Sequence, residues 1–197
     1  MGTKTGFAKA YRKMNLNLLK SEKVVKGLVT QMRSVPKHIK APEYALNGKP
    51  AKFPEIIRIY EPKEYNSLRE SARLARKILD YSLSLAEPGI STEEIDILCH
   101  QEIIKLGAYP SPVNYFGFPK AICTSPNEVV CHGIPDDRKL KKGDILSIDI
   151  SVYFNGYHGD NCGTVVVGDT SDVIANKLVN TTRYALEQAI SNIGPGK

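Results

Sequence analysis

The stretch that decides the fold is Asp-Ile-Leu-Ser-Ile-Asp-Ile-Ser-Val-Tyr-Phe-Asn-Gly-Tyr-His-Gly-Asp, residues 144–160. Two alternating, β-branched runs flank Asn155-Gly156, the pattern of a hairpin closed by a two-residue turn. Such a turn sets the pairing, so that Ser151 faces Asp160 and Asp149 faces Cys162. Side chains alternate faces along a strand, which puts Asp149, Ser151, Asp160 and Cys162 on one face. The two aspartates are then diagonal neighbours, roughly 7 Å apart at the backbone. Carboxylates reaching into one space repel each other unless a proton or a cation lies between them. A pair of divalent metals is the natural occupant. The competing reading is a solvated strand face, or a bulge that turns one aspartate away. Ile148, Ile150 and Val152 fill the opposite face, and Thr164-Val165-Val166-Val167 has no polar stripe. Both features predict a central strand pair covered on both sides.

The chain has 197 residues, of which 42% are hydrophobic and 24% charged. This suits one globular domain, with or without an extension. No apolar run approaches the roughly 20 residues that cross a bilayer, which excludes a transmembrane helix. Cys99, Cys123, Cys131 and Cys162 form no C-x-x-C pair and no secretory h-region precedes them, so they read as free thiols of a reducing compartment. The net charge of +6 is unevenly placed: residues 1–40 hold ten Lys or Arg against one acid, Glu22, and the remainder is net acidic. An acid-poor basic N-terminus with interleaved apolar residues is compatible with an organellar transit peptide. The alternatives are a basic arm touching RNA or a ribosome, and a cytoplasmic protein.

Pro36, Pro42, Pro50, Pro54 and Pro62 punctuate residues 35–63 without periodicity, which predicts an extended strap between a basic arm (1–34) and a globular part (64–197). Leu68, Ala72, Ala75 and Leu79 recur at helical spacing, and that helix ends by Pro88-Gly89. Ser91-Thr92-Glu93-Glu94 is a capping box for a second helix, with Ile95, Leu98, Cys99 and Ile103 on its buried face and Gly107 at its stop. Short strands are predicted at 121–124 and 128–132, then the hairpin, then a helix over about 172–192. Helices, antiparallel strands and a further helix make an α+β arrangement.

From Tyr109 to Gly168 the pieces YPSPVNYFGFPKAICTSPNEVVCHGIPDD, LKKGDILSIDISVYFNGYHGD and VVVG resemble the type I methionine aminopeptidases of family M24. The upstream strap SVPKHIKAPEYALNGKP is most similar to the organellar, including mitochondrial, branch. The resemblance implies a pita-bread fold, of which this chain holds the first half plus the first helix of the second. It also implies two divalent metal ions (Co, Mn, Fe(II) or Zn) and removal of the initiator methionine from nascent chains. By its motif, Asp149 matches a chelating ligand of one metal and Asp160 a carboxylate bridging both. His132 matches the catalytic histidine that contacts the scissile amide. Tyr115, Phe118 and Cys123 match the pocket for the methionine side chain, and Asn127 a residue near a monovalent-cation site.

These roles agree with general chemistry. Carboxylate oxygens suit such cations, and a thioether packs well on aromatic rings and polarisable sulfur. Asn161-Cys162-Gly163 departs from the Thr or Ser usual in the family after Gly-Asp. The family's remaining metal ligands, one His and two Glu, have no counterpart here. A chain with two ligands of five is expected to be inactive by itself and to expose an apolar sheet face. Expected partners are N-terminal Met-peptides of nascent chains and, through the basic arm, the ribosome, with no membrane and no specific DNA. The alternative reading is a non-catalytic pita-bread binding module whose arm contacts RNA or the ribosome. Retention of both aspartates favours the enzyme.

Overall fold

Strand alternation at 145–166 and helical spacing at 68–79 each build the element they predict. The computed structural model describes residues 23–52, 55–168 and 172–196. Helix α1 (Tyr65–Ser84) is followed by α2 (Thr92–Lys105), the two-residue strand β1 (Tyr109–Pro110) and β2 (Cys123–Pro126). The hairpin strands β3 (Ile145–Phe154) and β4 (Tyr157–Val166) come next, then α3 (Val173–Asn192). β3 is central: β4 runs antiparallel along one edge, while β2 and β1 share the other, at its start and its end. Asn155 and Gly156 turn with φ of 51° and 93°. The register is the one read from the turn, with Ser151 opposite Asp160 and Asp149 opposite Cys162, and no bulge interrupts it.

Alternation divides β3 cleanly. Leu146, Ile148, Ile150 and Val152 are fully buried, in one core with Ala75, Ile78 and Leu79 of α1 and Ile95, Cys99 and Ile103 of α2. The opposite face, with Ser147, Asp149, Ser151 and Tyr153, is only half-buried. The hairpin is therefore covered on one side among the described residues. Its open face is polar, contrary to the expected apolar sheet face. Apolar side chains exposed to solvent lie instead on α3, where Val173, Ile174, Leu178, Leu186 and Ile190 are all more than half exposed, and in the strap and loops, as at Leu46, Ile57 and Val130. α1 crosses the hairpin so closely that a Cβ on Gly159 would sit 2.1 Å from the Ser71 carbonyl oxygen, so only glycine fits there.

The capping box is present in full. Ser91 Oγ accepts from Glu94 N at 3.1 Å, and Ser91 N donates to Glu94 Oε2 at 2.7 Å. The expected strand at 128–132 does not form. Asn127 and His132 adopt φ of 51° and 52°, left-handed positions that break an extended run at both ends. Only Thr124 N to Gly133 O, 2.9 Å, continues the pairing there.

Among its described residues the strap has no helix longer than a turn, yet Ile39 and Tyr44 are buried, so core packing begins well before Glu64. Of the basic arm expected over 1–34, and with it the transit-peptide reading, residues 1–22 lie outside the described residues. Residues 24–28 lie against the body: Val24 N donates to Glu128, Gly27 N to Asp136 and Leu28 N to Asp137. No helix among the described residues is long and apolar enough to cross a membrane.

Two consequences follow for stability. Gly159→Ala should cost about 2–3 kcal/mol, since the methyl group meets helix backbone and not a flexible side chain; urea denaturation reads the loss. The second concerns Glu94, whose carboxyl is held down to about 2 by its hydrogen bond to Lys139 and then by those from Ser91. A depressed acid stabilises the fold above its ordinary pKa and loses that contribution as pH falls through its folded value. The stability gap between the wild-type chain and Glu94→Gln should therefore be constant above about pH 5 and close toward pH 2; thermal melts across that range measure it.

Candidate active site

The half-buried face of β3 continues across both neighbours. Cys123 of β2 and Cys162 of β4 flank Asp149 in register, and Asp160 lies two pairs further along the hairpin, opposite Ser151. Directly opposed residues point to the same side, so hairpin geometry alone aims both carboxylates into one space. The loop Ser111–Phe118 and the His132 turn close around that space. They form a cleft of about 450 Å³ lined by aromatic residues, Cys123, His132, Ser151, His158 and the two aspartates.

Asp149 is the electrostatic centre. Burial pushes its carboxyl up to about 6, the neighbouring Asp160 charge and their mutual hydrogen bond add to this, and only His132 opposes it. Among the described residues, no lysine or arginine lines the cleft to offset the pair. This is a fit for a hard cation: two oxygen donors on rigid strands, crowded enough that the Asp149 carboxyl gives up its proton only near pH 6. Among the described residues, no group of three or more His, Cys, Asp or Glu is placed to hold a metal ion. The aspartates fit a divalent ion as part of a donor set, and the other donors must come from elsewhere.

The walls are neutral. Burial, reinforced by Asp149 and Asp160, pushes the Cys123 thiol up to about 12, so it lines the cleft as a protonated, polarisable group. Cys162 is raised by the same causes and stands beside Asp149 but outside the cleft lining. Tyr115 and Phe118 are lining residues, and Tyr115 meets the exposed Phe116 edge-on at 4.9 Å. His132, also lining, stands exposed in its left-handed turn. Gly133 beside it does not leave room for a ligand: an added Cβ would lie 2.0 Å from the Thr124 carbonyl oxygen, so backbone contact is what requires glycine.

Asp149, Asp160, His132, Tyr115, Phe118 and Cys123 are thus gathered in one cleft. Asn127 is not among its lining residues. Its side-chain amide donates to Asp144 and its side-chain oxygen accepts from Ile145 N, both at 2.9 Å, bracing the start of β3.

Sequence reasoning missed Tyr44 and Ser111. Tyr44 comes from the strap, where nothing periodic marks it, and its hydroxyl donates to the Ser111 carbonyl at 2.7 Å. Ser111 Oγ lies 2.8 Å from His158 Nδ1, which fixes the imidazole at the cleft edge. Burial lowers the His158 pKa, so its ring is predominantly neutral near pH 7. The Tyr-Pro-Ser-Pro run was the one signal that could have flagged Ser111.

Behind the cleft, a buried ionic cluster fixes the loop that supplies Phe118 and Cys123. Asp96 accepts from Ala121 N at 2.7 Å and Ile122 N at 3.1 Å, and pairs with Arg33. Burial pushes Asp96 up to about 6, against the two N–H bonds and Arg33. Lys120, fully buried, binds Glu93 and Thr30 Oγ1. Burial alone would raise Glu93, but the hydrogen bonds from Lys120, Thr30 and Arg33 outweigh it and hold its carboxyl low.

A family model described as metallopeptidase family M24 matches residues 66–197. The chain is 46% identical over 193 residues to the methionine aminopeptidase 1D, mitochondrial, of Dictyostelium discoideum, covering 95% of this chain and 47% of that protein. It is 44% identical over 171 residues to the protein of that name from Danio rerio, covering 87% and 50%. Among solved structures, the methionine aminopeptidase from Rickettsia prowazekii is 40% identical with a TM-score of 0.65, over 67% of this chain and 53% of that one. The methionine aminopeptidase from Thermotoga maritima is 34% identical with a TM-score of 0.66, over 70% and 55%. The α+β fold is accordingly the pita-bread fold. The chain spans about half the length of the curated relatives it matches.

Asp149→Asn and Asp160→Asn each remove one charged donor from the pair. Either should weaken binding of Mn or Co by at least about 100-fold, with the fold retained. Calorimetric titration of the metal, beside circular dichroism, reads both; unchanged affinity would mean that the aspartates hold no metal.

Proposed function

The chain belongs to metallopeptidase family M24, and on that premise we propose that its cleft is part of a site that removes the initiator methionine from the N-termini of nascent proteins. The observation that carries this reading is one cleft in which two crowded carboxylates face a histidine and an aromatic, sulfur-bearing wall. Family M24 implies divalent metal use, and Asp149 and Asp160 are the residues here that would hold it. The site would take two ions, from among Co, Mn, Fe(II) and Zn; the charge of the pair balances one of them, so further anionic donors complete the site. Divalent ions held there would polarise the scissile carbonyl and supply a readily deprotonated water.

The chain's own residues do the rest. His132, on the cleft wall, would hydrogen-bond the scissile amide, the bond strengthening as charge develops on it. Tyr115, Phe118 and Cys123 receive an unbranched thioether, whose sulfur interacts favourably with ring edges. Among the described residues no lysine or arginine lines the cleft, so the free α-amino group of a peptide would meet no like charge from them on entering. Relatives from Dictyostelium, zebrafish and Arabidopsis carry mitochondrial or chloroplastic/mitochondrial names, which supports an organellar location for this protein.

The test is release of methionine from Met-Ala-Ser with Mn or Co. It is run on the 197-residue chain and on the chain completed with the part of the Dictyostelium relative that the alignment leaves uncovered. With two carboxylate ligands alone, the first should give no turnover and the second should be active. Silence of the completed protein would overturn the reading, and robust turnover by the shorter chain would overturn the need for further ligands. In the completed protein, His132→Ala should lower kcat by about 100- to 1000-fold while metal stoichiometry stays intact. Loss of metal instead would make His132 a ligand.

A further inference from the structure

The strap does more than lead into α1. Tyr44 lines the cleft and is 4% exposed, so nearly all of its surface is packed against neighbours and a small part meets the cavity. Three contacts hold the ring. Its hydroxyl donates to the Ser111 carbonyl at 2.7 Å, its edge meets the Tyr115 ring at 5.1 Å and 83°, and its face lies nearly parallel to His158 at 6.3 Å.

The backbone around it is tied to the loop that carries Tyr115. Gly48 N donates to Tyr44 O at 2.8 Å, Phe116 N to Gly48 O at 3.0 Å, and Asn114 Nδ2 to Ala45 O at 2.9 Å. Asn114, Phe116 and Gly117 all adopt positive φ, at 61°, 48° and 79°, so this loop holds a sparsely populated conformation against the strap. A loop with that much left-handed backbone keeps one shape only where its surroundings over-determine it, and the turn Tyr44–Gly48 supplies the surroundings.

We propose that Tyr44, presented by the strap, is a specificity-determining wall of the side-chain pocket, and sets with Tyr115 which first residue the cleft admits. The proposal rests on the reading of the cleft as the site for an N-terminal side chain. The ring closes the space between Tyr115 and His158. An unbranched side chain such as methionine or norleucine then lies along the aromatic edges, and a branched or aromatic one is excluded. Orientation comes from the hydroxyl through Ser111, while exclusion comes from the ring itself.

Two measurements test this. In the completed protein, Tyr44→Ala should raise KM for Met-Ala-Ser and improve the ratio of Phe-Ala-Ser to Met-Ala-Ser cleavage by at least about tenfold, with kcat for methionine little changed. Tyr44→Phe should keep the wild-type selectivity. Unchanged selectivity in Tyr44→Ala, with wild-type turnover of Met-Ala-Ser present, would overturn the proposal and leave the proposed function standing. Absence of wild-type turnover would strike the function instead.

The second measurement needs no catalysis. In the 197-residue chain carrying Cys131→Ser and Cys162→Ser, Cys123 is the thiol at the cleft and Cys99 a fully buried control. Tyr44→Ala should accelerate Cys123 labelling by N-phenylmaleimide at least about tenfold more than labelling by iodoacetamide, with Cys99 unreacted and Tyr44→Phe unaffected. Equal acceleration of both reagents, or parallel labelling of Cys99, would show Tyr44 to be a structural pillar and overturn its role as a wall.

Discussion

Everything in this molecule hangs on the period-two division of β3. One strand must bury Leu146, Ile148, Ile150 and Val152 against two helices while turning Asp149 and Ser151 the other way. A slip of one residue would drive carboxylates into an apolar core, at a cost of several kcal/mol for each unpaired charge. The apolar residues thus fix the position of the polar ones, and packing on α1 fixes the strand that carries them. The crowding of Asp149 and Asp160 that lifts Asp149 to about 6 is stored against that packing energy. A cation entering the cleft meets donors already held in place.

Pocket walls are built on a different principle. Short-range hairpin geometry positions the carboxylates, whereas long-range contacts position the aromatic rings. Tyr115 sits on a loop of positive-φ residues that the strap clasps, and Phe118 and Cys123 lie either side of a segment tethered by Asp96 and Lys120 to α2. Each buried charge in that tether has a partner: Lys120 has Glu93, and Asp96 has Arg33 and two backbone N–H groups. Removing one partner would leave an uncompensated buried charge, so the cluster holds the loop in one arrangement.

This contrast explains what was legible in the sequence. The hairpin, its register, the shared aspartate face and the capping box are local: Asn155-Gly156 and Ser91-x-x-Glu94 carry their meaning within a few residues. The strand expected at 128–132 yields to left-handed turns at Asn127 and His132, residue types that adopt a positive φ more readily than most, so a local signal was present. The remaining failures are non-local. The hairpin was expected to be covered on both sides, because a run of valines reads the same whether its second face meets a core or a polar cleft. Tyr44 was invisible because a proline-spaced strap has no period, and its partners Ser111 and Tyr115 lie more than sixty residues further on. Asn127, which the motif matches to a residue near a monovalent-cation site, uses both ends of its side-chain amide to brace Asp144 and Ile145.

The charge of the N-terminal segment takes a different meaning from the same contacts. A concentration of Lys and Arg in the first forty residues reads as an arm for an acidic partner. Arg33, however, is bound to Glu93 and Asp96, and its neighbour Thr30 to Glu93 and Lys120. Gly27 and Leu28 donate their backbone amides to Asp136 and Asp137, which belong to the segment following the His132 turn. Here basic and polar groups of the segment meet acids of the body, and they do so behind both the loop bearing Phe118 and Cys123 and the turn bearing His132. An ion pair buried in that position contributes more to shape than to stability, because desolvation offsets most of its attraction. The segment from residue 24 onward is therefore best understood as the back support of the cleft.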